Sequence, residues 1–72
     1  MNKKNKIKII VNGKFLMINS NISVKNLTEK LKTPINKVAI EINEVIVDKK
    51  KLNKIFLKNK DKIEIVHFIG GG

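Results

Sequence analysis

An Asn12-Gly13 pair stands between two short segments of alternating apolar residues near the start of the chain. Asn-Gly is the strongest short-range signal for a hairpin turn, because both central residues of that turn take positive φ. With a two-residue turn, Val11 lies opposite Lys14, and this fixes the register of the whole pair. The pattern therefore predicts a β-hairpin over residues 6–18.

The two faces of this hairpin are expected to have different roles. The face turned to the core carries the apolar residues at alternate positions, namely Ile7, Ile9, Val11, Leu16 and Ile18. The opposite, outer face carries Ile10, Phe15 and Met17. A slip of one residue would exchange the two sets, so the register decides which residues are buried.

A short helix is predicted after the hairpin. Ser23 is a typical N-cap residue. The apolar stripe that follows is formed by Val24, Leu27 and Leu31. Pro34 disfavours helical geometry at the residue before it, so the helix should end near Lys32. About two and a half turns of helix are not stable alone, so we expect this helix to pack on the core face of the hairpin.

Three further strands complete the predicted fold. They cover residues 38–42, 45–47 and 62–68, and Asp48 is expected to cap a helical turn after the second of them. In the last strand the inward residues are Ile63 and Ile65, and the outward residues are Glu64, Val66 and Phe68. The order of elements indicates an α+β protein of the β-grasp type. Its mixed sheet of four to five strands packs on one main helix, with the first and last strands as parallel neighbours.

Composition limits the functions of such a chain. The 72 residues make one domain without cysteine and with a single histidine, His67, so we expect no metal site, no bound cofactor and no side-chain catalysis. The net charge of +10 comes from lysine alone. Nucleic-acid recognition favours arginine and aromatic platforms. Compositional bias together with an acidic protein partner therefore explains the charge better than nucleic-acid binding does.

The two ends of the sequence are expected to differ from the folded domain between them. Residues 1–5 are predicted to be a loose basic tail, residues 6–68 the β-grasp domain, and residues 69–72 a flexible glycine tail. No apolar segment approaches the ~20 residues of a membrane span, and the first apolar segment is too short for a signal peptide. We therefore expect a cytoplasmic protein without a membrane partner.

Three glycines, Gly70, Gly71 and Gly72, follow the last strand directly. They present an unhindered α-carboxylate on a backbone without side chains. The segments 40–47 and 61–72, together with the Val11-Asn12-Gly13 turn, resemble the ThiS family of thiamine-pathway sulfur carriers, whose relatives include the small subunit of molybdopterin synthase and ubiquitin. The sequence departs from the family pattern at Asp48, where proline is common, at Leu52, where an aromatic residue is common, and at Lys60, where glycine often precedes the turn aspartate.

The resemblance implies a specific chemistry. The Gly72 carboxylate would be adenylated by a ThiF-like enzyme that uses ATP, a cysteine-derived sulfur donor would convert it to a thiocarboxylate, and a ThiG-like thiazole synthase would accept the sulfur. The protein itself would not be an enzyme, and Gly70 and Gly71 would thread the partner's cleft. The predicted docking face is the outer side of the sheet, formed by Ile10, Phe15, Met17, Val66 and Phe68, unless lysine stems or the first residues cover it.

Three alternatives remain open at this point. The chain could be the small subunit of molybdopterin synthase, a ubiquitin-like modifier that forms isopeptide bonds, or a small basic nucleic-acid binder. They differ in what happens to the C-terminal carboxylate. The first replaces an oxygen by sulfur, the second joins the carboxylate to lysine, and the third leaves it unchanged.

Overall fold

A computed structural model of the protein describes residues 5–68. The regular elements of this part of the chain are β1 (Lys6–Val11), β2 (Lys14–Asn19), α1 (Val24–Lys30), a 3₁₀ helix (Ile35–Lys37), β3 (Val38–Ile42), β4 (Val45–Ile46), a second 3₁₀ helix (Lys49–Lys54) and β5 (Lys62–His67). The predictions for residues 1–4 and 69–72 lie outside the described residues.

The five strands form one mixed sheet in the order β2-β1-β5-β3-β4. The central strand β5 runs parallel to β1 and antiparallel to β3, while the outer pairs are antiparallel. The parallel contact requires a crossover, and α1 lies within the segment that makes it. The α+β, β-grasp prediction is confirmed.

The hairpin has the predicted register. Val11 lies opposite Lys14, and the pairing continues to Ile7 opposite Ile18. Asn12 and Gly13 take φ values of 49° and 84°, as the tight turn requires. Ile9 and Ile18 are buried, and the other three predicted core residues of the hairpin pack partly buried against them.

Helix α1 begins as predicted but ends earlier. The backbone N–H of Asn26 donates to Ser23 Oγ at 3.0 Å, and the Ser23 N–H donates to Asn26 Oδ1 at 3.3 Å. These two bonds form a reciprocal cap. The helix ends at Lys30, not near Lys32, because Lys32 takes a left-handed φ of 56°, and this conformation turns the chain away. Leu31 is consequently 39% exposed and not part of the core stripe, whose third buried position is occupied by Thr28.

The core lies between the inner face of the sheet and α1. Its central side chains are Ile9, Val24, Leu27, Val38, Ile40 and Ile63, none more than 1% exposed. Leu57, in the apolar stretch 55–57, is also buried. Asp48 caps the second 3₁₀ helix as predicted, since its Oδ1 accepts from the N–H of Lys50 at 2.9 Å.

Candidate functional site

The chain leaves the sheet at the end of its central strand. β5 is held between β1 and β3, and Ile63 near its start is fully buried. Towards its end the outward side chains become exposed, with Val66 51% and Phe68 46% accessible. We call Val66 and Phe68 the terminal patch. It is the apolar surface nearest to the glycines in the sequence.

A second apolar surface lies on the hairpin. Phe15 and Met17 are 70% and 53% exposed, and Ile10, directly opposite Phe15, is half-buried. We call Ile10, Phe15 and Met17 the hairpin patch. Strand alternation therefore places four residues of the predicted docking face, Ile10, Phe15, Met17 and Val66, on the outer side of the sheet. The fifth, Phe68, directly follows β5, and its ring is approached by Lys49 of the second 3₁₀ helix.

The two patches are not continuous, although the sequence analysis combined them in one surface. Ile10 lies opposite Lys62 in the parallel ladder, so Val66 lies four residues further along β5. At ~3.3 Å per residue this offset is about 13 Å. Glu64 of β5 and its β3 partner Glu41 lie between the levels of the two patches. The separation of the patches follows from the register between β1 and β5, which are distant in sequence. Alternation within each strand does not fix that register.

A lysine side chain contacts the phenylalanine ring of each patch. Lys8 Nζ lies 4.9 Å from the centroid of the Phe15 ring, and Lys49 Nζ lies 5.1 Å from that of Phe68. A cation at this distance is attracted to the face of the ring. Both rings nevertheless keep about half or more of their surface accessible, so the lysines border the patches without covering them.

One lysine side chain borders the terminal patch. Lys49 approaches the Phe68 ring from the second 3₁₀ helix, and the N–H of Phe68 donates to the backbone carbonyl of Lys37 at 3.1 Å. His67 lies opposite Val38 and is exposed. A partner surface that meets this end of the sheet would therefore meet the Lys49 ammonium beside two apolar side chains.

Two turn asparagines hold β5, and the sequence analysis assigned neither of them this role. Asn12 Oδ1 accepts from the N–H of Ile65 at 2.7 Å, and its Nδ2 donates to the Ile65 carbonyl at 3.3 Å. Asn43 Oδ1 accepts from the N–H of Lys62 at 3.0 Å, and its Nδ2 donates to Asp61 Oδ1 at 3.0 Å. Asn12 was predicted only as a turn residue, because its partner Ile65 lies 53 positions away in the sequence. The one signal available was an amide side chain at a position expected to take positive φ.

Other kinds of site find little support in the part of the chain that the structure describes. Residues 5–68 contain no group of three or more His, Cys, Asp or Glu side chains that could hold a metal ion. None of the helices described there is long and apolar enough to cross a membrane. The predicted reacting residue Gly72 and the threading residues Gly70 and Gly71 lie outside the described residues.

The fold and the site together define a class of protein. A β-grasp domain whose central, last strand leads directly into a glycine sequence is a ubiquitin-like protein. The ThiS family model matches residues 6–72, and the chain belongs to the ThiS family. This is the family that the C-terminal sequence resembles.

Individual relatives support the assignment. The crystal structure of thiamine biosynthesis protein ThiS from Geobacter metallireducens superimposes with a TM-score of 0.81 at 26% identity, over 92% of this chain and 100% of that one. The sulfur carrier protein ThiS of Bacillus subtilis is 47% identical over 35 residues, which are 49% of this chain and 53% of that protein.

A second kind of relative is much longer. A thiazole synthase of Paramagnetospirillum magneticum is 36% identical over 66 residues, which are 92% of this chain but 20% of that protein. A thiazole synthase of Magnetococcus marinus matches in the same way, at 35% identity. The chain thus spans about a fifth of the length of these two relatives. In both, a segment similar to nearly all of this chain is part of a larger protein.

Proposed function

We propose that this protein is a sulfur carrier of thiamine biosynthesis and that it works through the carboxylate of Gly72. Membership in the ThiS family carries the proposal, because the family match over residues 6–72 includes the three glycines. The names of the Bacillus subtilis and Geobacter metallireducens relatives, a sulfur carrier protein and a thiamine biosynthesis protein, agree with it. In this role the protein is a co-substrate of cytoplasmic enzymes and not a catalyst.

The proposed chemistry activates a poor electrophile in two steps. A carboxylate oxygen of Gly72 attacks the α-phosphorus of ATP on a ThiF-like enzyme, pyrophosphate leaves, and an acyl-adenylate forms. Hydrosulfide released from a cysteine-derived donor then attacks the carbonyl carbon, the C–O bond to AMP breaks, AMP leaves, and loss of the sulfur-bound proton gives the thiocarboxylate. ATP is bound by the partner, and we propose that the carrier itself binds no cofactor.

The glycines fit the requirements of this chemistry. Gly70 and Gly71 have no Cβ atoms, so a narrow cleft can enclose their backbone, and they can take φ values closed to other residues. Ordering each residue in a cleft costs roughly 1–2 kcal/mol. Contacts made by the folded domain offset that cost. The terminal patch, with the Lys49 ammonium beside it, is the surface best placed to make them.

We further propose a thiazole synthase as the acceptor of the sulfur. The support comes from the two relatives named thiazole synthase, in which a segment similar to this chain forms about a fifth of the protein. A carrier built into its acceptor works at a high effective concentration. A carrier on a separate chain needs a docking surface instead, and the outer face of the sheet offers two apolar patches for that purpose.

The decisive experiment is intact mass spectrometry of the carrier after incubation with the adenylating enzyme, ATP and a sulfur donor. We expect one oxygen of the C-terminal carboxylate to be replaced by sulfur. Ladders of conjugated protein would instead indicate a ubiquitin-like modifier. Stable co-purification with a molybdopterin synthase large subunit, and not with thiazole synthase, would indicate the molybdopterin pathway.

Deletion of Gly72 tests the reacting group itself. We expect the deletion to abolish ATP–pyrophosphate exchange, because it withdraws the carboxylate by one residue, about 3.3–3.6 Å of extended chain. A misplacement of even ~1 Å can cost on the order of 100-fold in rate. Gly71→Ala should be nearly as harmful, through a clash in the cleft.

A thermal melt is the control for both variants. The buried residues of the described chain all lie between Ile9 and Ile63, so neither change should shift the melting temperature. Exchange at the normal rate after deletion of Gly72 would mean that the C-terminal carboxylate is not the working group.

A further inference from the structure

The strand that leads to the glycines is held at two points by asparagine side chains. Asn43 contacts the start of β5 through the N–H of Lys62, and Asn12 contacts its second half through both backbone groups of Ile65. The two residues occupy equivalent positions in their turns, with φ values of 52° and 49°. Each accepts a backbone N–H of β5 on its Oδ1, at points three residues apart in the strand.

Asn12 acts at the point where β5 loses a neighbour. The parallel ladder between β1 and β5 ends at Val11 opposite Ile63, because the hairpin turn then leads the chain away. The Asn12 N–H still donates to the Ile63 carbonyl at 2.9 Å. Beyond that bond, the amide side chain of Asn12 replaces the missing strand and pairs with Ile65 on the β1 side.

The opposite side of β5 is paired further along. β3 pairs with β5 as far as Val38 opposite His67, and Phe68 then donates to the carbonyl of Lys37 at 3.1 Å. The last residues of β5 are therefore held by backbone bonds on one side and by the Asn12 amide on the other. Without that amide, a single antiparallel edge would hold the segment that bears the terminal patch.

We propose that Asn12 is a positioning residue for sulfur transfer, which fixes the direction in which β5 delivers the terminal patch and the glycines to the adenylating enzyme. This proposal rests on the carrier function proposed above. Loss of the amide lets the end of β5 separate from the hairpin, so that fewer molecules hold the binding-competent arrangement. The KM for the carrier then rises, whereas kcat at saturation changes little because the bound enzyme orders the segment itself.

The chain offers a matched pair of variants, Asn12→Gly and Asn43→Gly. Glycine accepts positive φ without strain, so each change removes two side-chain hydrogen bonds and leaves the turn geometry intact. Because the competent arrangement loses two hydrogen bonds and becomes less populated, we expect KM for Asn12→Gly to rise about three- to tenfold in ATP–pyrophosphate exchange. Asn43→Gly should keep the KM of the unmodified protein. This difference in KM is expected even if the two variants have similarly lowered melting temperatures.

Amide hydrogen exchange supplies a readout that is independent of activity. The Phe68 N–H bonds to Lys37 and not to Asn12, so its exchange reports fraying of the whole segment and not merely the deleted bond. We expect faster exchange at Phe68 in Asn12→Gly and not in Asn43→Gly. Asn12→Asp, which keeps an acceptor oxygen for the Ile65 N–H but loses the donor, should recover part of the KM.

The outcomes separate this inference from the proposed function. Exchange activity in the unmodified protein, with equal KM values for the two glycine variants and equal Phe68 protection, overturns the role of Asn12 and leaves the carrier function standing. A complete absence of ATP–pyrophosphate exchange with the unmodified protein overturns both. A raised KM and faster Phe68 exchange confined to Asn12→Gly support the positioning role.

Discussion

The inner and outer faces of the sheet both carry apolar side chains but arrange them differently. On the inner face, Ile9, Ile40 and Ile63 come from three neighbouring strands and are at most 1% exposed. On the outer face, the hairpin patch and the terminal patch lie at different levels with the Glu41–Glu64 pair between them, and Ile46 adds an isolated exposed side chain on the edge strand β4. The inner face is one continuous core, whereas the outer face is a divided surface.

Because of this difference, neighbouring residues of one strand have different roles: one stabilises the fold, and the next is available for recognition. Ile9 and Ile10 are neighbours in β1, yet one is fully buried and the other belongs to the hairpin patch. In β5, Ile65 packs against the core, while Val66 next to it is 51% exposed. Burial of apolar area stabilises the fold, and exposed apolar patches mark partner sites. Substitutions on the two faces should therefore affect different measurements.

The largest effect on stability is expected for Ile9→Ala. Removing a fully buried isoleucine side chain costs about 2–5 kcal/mol in comparable cores. For so small a domain this is a large part of a total of roughly 5–15 kcal/mol. Met17→Ala, on the opposite face of the same hairpin, should remain within about 0.5 kcal/mol. Urea unfolding measures both variants, and similar losses for the two would mean that the two faces do not differ as described.

A smaller effect, on binding and not on stability, is expected for Phe68→Ala. An exposed aromatic side chain at the centre of an interface can contribute more than about 1 kcal/mol, so the affinity for the adenylating enzyme should fall about tenfold. Phe15→Ala is the matched control, since Phe15 is an exposed aromatic ring with a lysine over it but belongs to the hairpin patch. Calorimetric titration that finds the larger loss for Phe15 would assign docking to the hairpin patch instead.

The sequence predicted best what depends on residues close together in the chain. The alternation around Asn12-Gly13 gave the complete hairpin register, and Ser23 gave the start of α1, because each signal lies within one turn or one strand pair. The early end of α1 was missed because it depends on the left-handed conformation of Lys32, a lysine that carries no helix-stop signal.

Features that join distant segments could not be predicted in this way. The separation of the two outer patches depends on the offset between β1 and β5, and the bond from Ile65 to Asn12 joins residues 53 positions apart. Neither is visible in a pattern of alternation. The proposed reacting end, in contrast, was identified from the glycine sequence and its family resemblance, independently of any packing.

The smallest expected effect is a gain in stability when Lys60 is replaced by glycine. It sharpens the comparison because Lys60 lies in a turn and belongs to neither face of the sheet. Lys60 takes a φ of 74° in the turn that leads into β5, and its N–H donates to the carbonyl of Lys8 at 2.7 Å. A side chain in this left-handed conformation costs roughly 1–2 kcal/mol relative to the right-handed one. This gives a physical reason why glycine is common at this position in the family that the sequence resembles.

Lys60→Gly should therefore raise the free energy of unfolding by up to about 1 kcal/mol, after subtraction of the greater entropy that glycine gives the unfolded chain. For a domain of this size the melting temperature would rise by at most about 4–8 °C. Lys58→Gly is the matched control, because Lys58 lies in the same turn without a positive φ and should lose about 0.5–1 kcal/mol instead. Equal destabilisation by Lys60→Gly and Lys58→Gly would show that the backbone at Lys60 is not strained. The inner face would then be the source of stability in this comparison.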